Sequence, residues 1–425
     1  MRVLVLGSGG REHTLVWKLA QSPKVDKIFC IPGNAGLCEL AECHNLPLSD
    51  FDALTDFIRA KGVDFTVVGP EQPLVNGVVD YFQERGFPVF GPNRQAAQLE
   101  GSKIFSKKLM AQYGIPTADF REFDQAGEAF DYLDSLPEGP VVVKADGLAA
   151  GKGAVVCPNR AAAREAVHHM MNDLIFKDAG SRVVIEEFMT GEEVSIFAIT
   201  DGKDLITLTP AQDFKRSLDG DLGKNTGGMG SYAPSVYLSP ELHQTALDTI
   251  IYPTLKALQA EGILYQGVIY AGLMLTPAGP KVIEFNCRFG DPETQVVLPL
   301  LQSDLMEIFL AVAEGRLGEI EPSFYDGSAV CVVLASGGYP DFYTTGKVIS
   351  GLEGLPEEAL VFHAGTQKNE RGQFITSGGR VMAVGAKQSS LQSAIDSAYR
   401  YIAGISFDAM HFRKDIARKA LEHKI

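Results

Sequence analysis

The chain has 425 residues, 45% of them hydrophobic, and carries a formal net charge of −15. This length predicts two to four domains with a large core, and the negative charge argues against a nucleic-acid surface, which needs an extended basic stripe. Because no stretch approaches the ~20 apolar residues of a membrane span and no cleavage-site pattern follows the apolar N-terminal run, we expect a cytoplasmic protein without membrane contact.

The six cysteines form no metal or redox motif. They fall in no CxxC pair and in no cysteine and histidine spacing that suits zinc. We therefore expect reduced, mostly packed thiols at Cys30, Cys38, Cys43, Cys157, Cys287 and Cys331.

Strand and helix signals alternate over the first hundred residues. Strands are predicted at 2–6, 27–31 and 65–68, a turn at 7–12, and helices at 13–21, 51–60 and 75–85. This rhythm is typical of an open parallel α/β sheet. Such sheets bind ligands at the carboxyl ends of their strands, so the loops at 7–12, 32–34 and 69–71 are expected to converge on one small molecule.

A nicotinamide dinucleotide site is the first alternative for these glycines, and the match fails twice. Glu12 replaces the third glycine of GxGxxG, and the second strand ends at Cys30, Ile31 and Pro32 without an acidic residue for a ribose. We keep only a phosphate site made of backbone N–H groups and Arg11 at a helix start.

A strand, a glycine-rich loop and a second strand occupy residues 141–156. A helix from about Ser102, carrying Lys103, Lys107 and Lys108, precedes them. The loop is not a Walker loop, yet a glycine-rich hairpin can fold over phosphates while Lys144 places a positive charge on them. A flexible surface hairpin is the alternative. The loop residues expected at the phosphates are Gly147, Gly151, Lys152 and Gly153.

A strand at 182–189, an acidic turn and a returning strand follow. Adenine needs an apolar slot and an acceptor for its amino group, and a ribose needs a carboxylate. Phe188, Met189, Glu186 and Glu193 supply these types in one short span, next to Glu187. Taken alone, the phenylalanine and methionine would more often be core residues.

The segment 281–293 is the most informative of the chain. Read as a strand, its period of two places Glu284, Asn286 and Arg288 on one face and Ile283, Phe285 and Cys287 on the other. A carboxylate and an amide oxygen two residues apart suit Mg²⁺, which takes few protein ligands, and the guanidinium can bind an anion beside it. An edge strand with polar residues facing solvent is the alternative.

Combined, these elements resemble the ATP-grasp superfamily and, more narrowly, the phosphoribosylamine-glycine ligase family. The motifs that carry the resemblance lie at 9–13, 32–36, 144–153, 225–230 and 284–295, in the family's order and spacing. The resemblance implies ATP-dependent ligation of glycine to 5-phosphoribosylamine, with Mg²⁺ or Mn²⁺, through a glycyl phosphate that the closing hairpin protects. It implies small-molecule substrates, no nucleic acid, and a monomer or weak homodimer.

The implied fold is α/β and α+β multidomain. An N-terminal open parallel α/β (pre-ATP-grasp) domain covers residues 1–101. An ATP-grasp domain covers 102–325, with a flap-bearing subdomain at about 117–192. A small C-terminal α+β domain covers 326–425, with strands expected at 329–335 and 380–384 and a helix at 389–403. Residues 412–415 match the family too, although an exposed charge cluster explains them equally well.

The resemblance also implies a role for individual residues. The implied ATP-binding residues are Lys103, Lys144, Gly147, Gly151, Lys152, Gly153, Glu186, Glu187, Phe188, Met189 and Glu193, and the implied metal ligands are Glu284 and Asn286. The implied substrate-binding residues are Gly9, Gly10, Arg11, Glu12, Asn34, Pro70, Glu71, Asp213, Lys215, Asn225, Thr226, Gly227, Gly228, Met229 and Arg288, of which Asp213, Lys215 and Arg288, with Lys144, are implied in catalysis.

The chain leaves the family pattern at one position. Phe214 stands where the family usually has histidine, between Asp213 and Lys215. Phenylalanine transfers no protons, so we expect position 214 to shape the pocket by packing. Two other functions compete with the ligase: a biotin-dependent or purine carboxylase, which would turn over with bicarbonate, and a non-catalytic nucleotide sensor, which would normally lose the metal ligands.

Overall fold

A computed structural model describes residues 1–149 and 153–423. Its first hundred residues form a five-stranded sheet, as predicted. All four strand pairs are parallel. In spatial order the strands are Glu42–Cys43, Lys27–Pro32, Arg2–Gly7, Phe65–Val68 and Val89–Phe90. The helices are Gly10–Leu19, Phe51–Lys61, Glu71–Asn76, Val78–Gln83 and Gln98–Gly101.

Two helices of this sheet differ from the prediction. The first begins at Gly10 instead of residue 13, because the Glu12 carboxylate accepts a hydrogen bond from Gly9 N at 2.6 Å and caps the helix start. The predicted helix 75–85 is two short helices. They meet at Gly77, whose φ of +91° no helix interior allows.

The prediction of six reduced thiols is wrong for two of them. Cys38 and Cys43 form a disulfide, because a 3₁₀ turn at Leu37–Glu39 leads the chain back to the edge strand and brings their Cα atoms to 5.6 Å. Cys30, Cys157, Cys287 and Cys331 are free and buried, as expected.

Two antiparallel sheets form the central part of the chain. The smaller one has the order Phe120–Phe123, Val183–Glu187, Val141–Ala145 and Ala154–Cys157, covered by helices Ala126–Ser135 and Arg160–Val167. The larger one has the order Leu205–Thr207, Glu192–Thr200, Gly267–Thr276 and Gly279–Asn286. Its flanking helices are Lys103–Gln112, Pro240–Ala246, Tyr252–Ala260, Thr294–Leu300 and Leu305–Glu314.

The strand that carries the predicted metal ligands does not alternate strictly. The strand has a bulge opposite Gly272 and Leu273. Gly272 pairs with Glu284 and Leu273 pairs with Val282, so Ile283 has no partner on the neighbouring strand. Val282 and Phe285 therefore both point into the core, whereas Ile283 is only half-buried. The prediction that Ile283 shares the apolar face with Phe285 was wrong because a period of two assumes a regular strand.

A third sheet joins the central part of the chain to its last hundred residues. Its order is Gln212–Asp213, Gly230–Ala233, Ser328–Ala335, Arg380–Gln388 and Leu360–His363, with helix Leu391–Ile402 packed on it. Two hairpins stand beside it, Arg216–Leu218 with Leu222–Asn225 and Thr366–Lys368 with Phe374–Thr376, and helix Arg418–Glu422 follows. This sheet combines strands from both sides of position 326.

Within the described residues, no helix has the length and apolar character needed to cross a membrane.

Candidate active site

Lys144 connects the two central sheets. It lies at the end of the strand Val141–Ala145 and is buried. Its ammonium group donates to Glu186 Oε2 at 2.9 Å and to the main-chain oxygen of Ile283 at 2.8 Å. The bulge that displaces Ile283 thus lies where the larger sheet meets this lysine. The contact of Lys144 with a phosphate stays a prediction.

Lys103 and Glu284 form the next pair. Lys103 stands at the start of its helix, and its Nζ lies 3.3 Å from Glu284 Oε2. Burial alone would raise the pKa of Glu284, but Lys103, Lys215 and Lys144 outweigh burial and lower it to about 2. Glu284 is therefore ionised at neutral pH.

Glu284 and Asn286 fit a small hard cation. Among the described residues, no other side chain engages the second oxygen of Glu284 or the amide of Asn286. A carboxylate and an amide oxygen are the donor types that Mg²⁺ takes, and it leaves its other positions to phosphate and water. The assignment of Glu284 and Asn286 as metal ligands stays a prediction.

The predicted adenine and ribose residues are divided between the two central sheets: Glu186 lies in the strand Val183–Glu187, Phe188 and Met189 follow that strand, and Glu193 lies in the strand Glu192–Thr200. Phe188 is 41% exposed, so it is not the core residue that its type alone would favour. Met189 is half-buried. Glu193 Oε2 accepts from Lys215 Nζ at 2.6 Å, whereas Glu187 is exposed and pairs with Lys281 at 2.9 Å.

The start of the glycine-rich hairpin is held by Asp146. One of its carboxylate oxygens accepts from Ser102 Oγ and Ile104 N, both at 2.8 Å, and the other accepts from Arg182. This carboxylate fixes the hairpin to the helix that carries Lys103. A side chain on Gly147 would lie 2.9 Å from the Ala179 backbone, so the chain passes too closely for one. Gly153 closes the hairpin by accepting from Ala145 N at 2.8 Å, and Gly151 and Lys152 lie outside the described residues.

Asp213 and Lys215 lie beside the predicted ATP-binding residues, and Lys215 contacts Glu193. Burial, followed by the neighbouring carboxylates, raises the pKa of Asp213, although Lys215 opposes the shift. Burial would lower the pKa of Lys215, but Asp213 and Glu193 raise it well above its ordinary value, so the lysine is charged. An ammonium group thus lies between two acidic side chains, where it can hold an anionic substrate.

Phe214 turns away from this group. Its side chain is 8% exposed and belongs to the core of the third sheet, 6.3 Å from the Tyr232 ring between centroids. The guanidinium carbon of Arg413 lies 5.1 Å from its ring centroid. The position packs, in agreement with the expectation for this departure from the family pattern.

The loop 225–230 folds back on Lys215. Thr226 donates to the main-chain oxygen of Lys215 through both N and Oγ1, each at 2.8 Å. Gly228 has φ of +111°, and a Cβ there would collide with the Pro292 ring, so only glycine suits this approach. Asn225 is exposed, whereas Met229 is fully buried and contributes to packing.

Arg380 brings the C-terminal region to this loop. Its Nη1 donates to the main-chain oxygens of Gly227 and Asp291 at 2.6 and 2.9 Å and lies 3.2 Å from Asp291 Oδ1. Gly227 N donates to Tyr339 Oη at 3.1 Å. Two side chains from beyond position 326 therefore hold the predicted substrate loop.

Glu12 fills the space between two strand ends of the parallel sheet. A Cβ on Gly7 or Gly69 would collide with its side chain, and Gly7 has φ of +127°. Glu12 accepts from Gly9 N and from Arg11 Nε, both at 2.6 Å. The donors that the sequence offers to a phosphate at this helix start are thus already engaged by the protein's own carboxylate.

Arg288 lies between two carboxylates. It is 3.2 Å from Glu71 and 2.9 Å from Glu100, and the pair raise its pKa against the effect of burial. Glu71 opens a helix directly after Pro70. Asp291 accepts a hydrogen bond from Arg11 N at 3.2 Å, and its carboxylate lies against Gly9 and Gly10. It therefore joins this loop to the segment 288–291. The loops 7–12 and 69–71 of the parallel sheet and the segment 288–291 therefore meet, as predicted, whereas Asn34 of the loop 32–34 does not join them.

Asn34 lies apart from this meeting point. Its amide donates to the main-chain oxygens of Ser8 and His363, both at 2.8 Å, and its oxygen accepts from Leu37 N at 2.9 Å. These contacts join the N-terminal sheet to the C-terminal region. They account for Asn34 without a substrate.

Arg413 corrects one expectation about the C-terminal segment. It is 1% exposed, so an exposed charge cluster is the wrong explanation of residues 412–415. Its guanidinium pairs with Asp221 at 2.8 Å and Asp415 at 2.7 Å and donates to the main-chain oxygen of Arg216 at 3.2 Å. It therefore fixes the hairpin between Lys215 and the loop 225–230.

Sequence reasoning assigned no site role to Lys107, Asp146, Arg380 or Arg413, although Arg413 lies within the family-matching residues 412–415. Lys107 was noted on its helix, and its spacing of four residues from Lys103 signalled a shared helix face. Asp146 stands within the glycine-rich run, and a carboxylate is a side chain that suits the start of a helix, here the helix Lys103–Gln112. Arg380 and Arg413 act across more than 150 residues of chain, and no local pattern signals such contacts.

Comparison with known proteins places these features in a family. Family models for phosphoribosylglycinamide synthetase match the N domain at residues 1–100, the ATP-grasp (A) domain at 101–294 and the C domain at 329–419. Phosphoribosylamine–glycine ligase of Caldanaerobacter subterraneus is 48% identical over 98% of this chain and 99% of its own.

Solved structures agree. The crystal structure of phosphoribosylamine–glycine ligase from Thermotoga maritima matches with a TM-score of 0.85 and 35% identity, over 98% of this chain and 100% of that one. A biotin carboxylase complex from Campylobacter jejuni has a TM-score of 0.75 at 15% identity, over 99% of this chain and 95% of that one, which shows a shared fold alone. With parallel-sheet, ATP-grasp and C-terminal domains in the family's order, the chain belongs to the phosphoribosylglycinamide synthetase family.

Proposed function

We propose that the chain ligates glycine to 5-phosphoribosylamine with ATP, giving N1-(5-phosphoribosyl)glycinamide, ADP and phosphate in purine biosynthesis. The observation that carries the proposal is that the predicted ATP-binding residues and the predicted substrate-binding residues lie next to each other. Glu284, which belongs to the nucleotide set, has its pKa lowered by Lys103, by Lys215 and by Lys144. Lys215, which belongs to the predicted loops of the amine substrate, also donates to Glu193 of the predicted ATP set at 2.6 Å, so the phosphate and the acceptor would be bound side by side.

The phosphoryl-transfer step follows from charge. A glycine carboxylate must attack the γ-phosphoryl group although both are anionic, so cations must neutralise the developing negative charge. The protein itself supplies positive charge through the ammonium groups of Lys144 and Lys103. Mg²⁺ or Mn²⁺, held by Glu284 and Asn286, would neutralise the phosphate oxygens when bound.

Arg288 is the proposed anchor for the glycine carboxylate. A guanidinium has five N–H donors, and in the structure Arg288 directs them at Glu71, Glu100 and the main-chain oxygen of Phe289. Glycine would use the remaining donors or replace Glu71, whose side chain is 25% exposed. The resulting glycyl phosphate is readily hydrolysed, and closure of the glycine-rich hairpin would exclude water until the amine attacks.

Lys215 and Asp213 are proposed to position phosphoribosylamine, with the loop 225–229 and residues 9–12 at its rim. The amine attacks the acyl carbon of glycyl phosphate, the C–N bond forms, phosphate leaves, and the amine loses a proton. Asp213, whose pKa burial raises to about 7, is the proposed acceptor of that proton.

The test is ADP release with glycine and freshly made phosphoribosylamine, each omitted in turn. The ligase requires both substrates. Turnover that depends on bicarbonate instead would identify a carboxylase, and nucleotide binding without any turnover would identify a sensor.

A further inference from the structure

Two buried lysines share one carboxylate oxygen beside the candidate ATP site. Lys107 Nζ lies 3.0 Å from Glu186 Oε2, and Lys144 Nζ lies 2.9 Å from the same atom. Each ammonium is at most 4% exposed, and Glu186 is 2% exposed. The other oxygen of Glu186 is buried and has no hydrogen-bond partner among the described residues.

This arrangement leaves a surplus of positive charge. Two ammonium groups share this one carboxylate, and Glu284, the next carboxylate that interacts with Lys144, is paired with Lys103, so the two lysines can accept a further anion. Among the described residues, the only other hydrogen bond of Lys107 is to Thr117 Oγ1, at 2.7 Å. Neither of these contacts points Lys107 at a substrate, so it acts through another residue.

We propose that Lys107 is a positioning residue that takes over Glu186 when ATP binds and so frees Lys144 for the phosphates. The inference rests on the proposed function only in placing ATP at Lys144. Without nucleotide, the two lysines hold Glu186 together. With nucleotide, the triphosphate attracts Lys144, and Lys107 remains as the counter-ion of Glu186, so no buried carboxylate is left unpaired.

The exchange predicts which property of the enzyme depends on Lys107. Without Lys107, Glu186 has Lys144 as its sole partner, and moving Lys144 to ATP would strand a buried carboxylate. ATP binding would then be weakened, while the rate at saturating ATP, with Lys144 already in place, would be nearly unchanged.

The charged groups around Lys107 give the exchange a pH dependence. Glu186 faces it from the strand Val183–Glu187, Lys144 from the neighbouring strand, and Lys103 from its own helix, while the Phe120 ring lies 5.7 Å away. Burial, with help from the two lysines and against Glu186, lowers the pKa of Lys107 to about 8. Lys107 therefore loses its charge as the pH rises through 8.

The experiment compares Lys107→Met and Lys107→Arg with the unchanged enzyme. Titration calorimetry with a non-hydrolysable ATP analogue and Mg²⁺, from pH 6.5 to 9.5, gives affinity without turnover. We expect Lys107→Met to weaken binding at pH 7 by about tenfold, the order of one charge-assisted contact. The unchanged enzyme should lose affinity for the analogue above pH 8, where Lys107 loses its charge, and Lys107→Met should not show this loss. Lys107→Arg, which does not titrate, should retain affinity at pH 9, and kcat of both should change less than threefold.

Lys108→Met is the matched control. It removes the adjacent lysine of the same helix, which is 61% exposed and pairs with Glu122, and it should leave affinity and its pH profile unchanged. Analogue affinity within twofold of normal in Lys107→Met would overturn the proposal. So would a loss of affinity that Lys107→Arg fails to rescue while the decline above pH 8 persists, since that pattern indicates only a packing defect. Because binding is measured without glycine or phosphoribosylamine, a failure of the proposed ligation would leave this result intact.

Discussion

Replacing Phe214 with histidine tests whether this position packs or catalyses. The phenylalanine is buried against Tyr232, with Arg413 over its ring. An imidazole there would bury a ring nitrogen without a partner, which costs about 1–3 kcal/mol, and would weaken the contact with Arg413, worth about 0.5–2 kcal/mol. We expect Phe214→His to lower the free energy of unfolding by about 2–4 kcal/mol.

Activity should respond much less than stability. Because the side chain faces away from Asp213 and Lys215, kcat/KM for phosphoribosylamine should change only a few-fold, below the about 1.4 kcal/mol that corresponds to tenfold. The buried imidazole would lie beside the Arg413 guanidinium, and both burial and that charge disfavour its protonation. No new pH limb should therefore appear.

Two measurements decide the matter: urea unfolding, and steady-state kinetics from pH 5.5 to 9. Phe214→Leu, which removes the ring without adding a polar atom, is the control and should lose less stability than Phe214→His. A hundredfold gain in kcat for Phe214→His, with a limb near the ordinary histidine pKa of ~6.5, would refute the reasoning and show that the chain lacks a catalytic group.

Three further predictions follow from the site and its surroundings. Glu284→Gln should lower kcat by at least about 10²-fold with little loss of fold; turnover near normal with unchanged Mg²⁺ dependence would remove Glu284 from the metal site. Lys144→Ala should raise the KM for ATP and lower kcat, and steady-state kinetics that show both untouched would exclude the lysine from catalysis. Burial lowers the pKa of His13 to about 3 and that of His363 to about 4. The unfolded chain takes up these protons near pH ~6.5, so the free energy of unfolding, measured in urea, should fall as the pH drops from about 6.5 towards 4. His13→Gln should flatten that fall, and the exposed His169→Gln should not.

The sequence predicted the parallel sheet well because its signals are local. The strands around Val5, Phe29 and Val67 are short apolar runs bounded by glycine, proline or charge, and their contacts lie within about 60 residues of chain. The helix through 75–85 failed at Gly77 because helical periodicity continues across a glycine that the fold places in a left-handed conformation.

The candidate site was predictable where one residue type carries the chemistry. Glu284, Asn286 and Lys144 could be singled out because hard-cation and phosphate ligands are few in kind. Arg413 and Lys107 could not, since arginine and lysine are ordinarily exposed and their burial becomes apparent only when distant strands come together. The Ile283 bulge was unpredictable for a related reason: it depends on the register with Gly272 and Leu273.

The third sheet affects when parts of the chain can fold during synthesis. The strand Gly230–Ala233 pairs with Ser328–Ala335, which leaves the ribosome about a hundred residues later, roughly 5–20 s at ordinary elongation rates. The hairpin beside Lys215 waits longer still, for Arg413 near the end of the chain. On the ribosome, the loops beside Lys215 would therefore stay unanchored until residue 413 has emerged, well after the predicted nucleotide-binding strands.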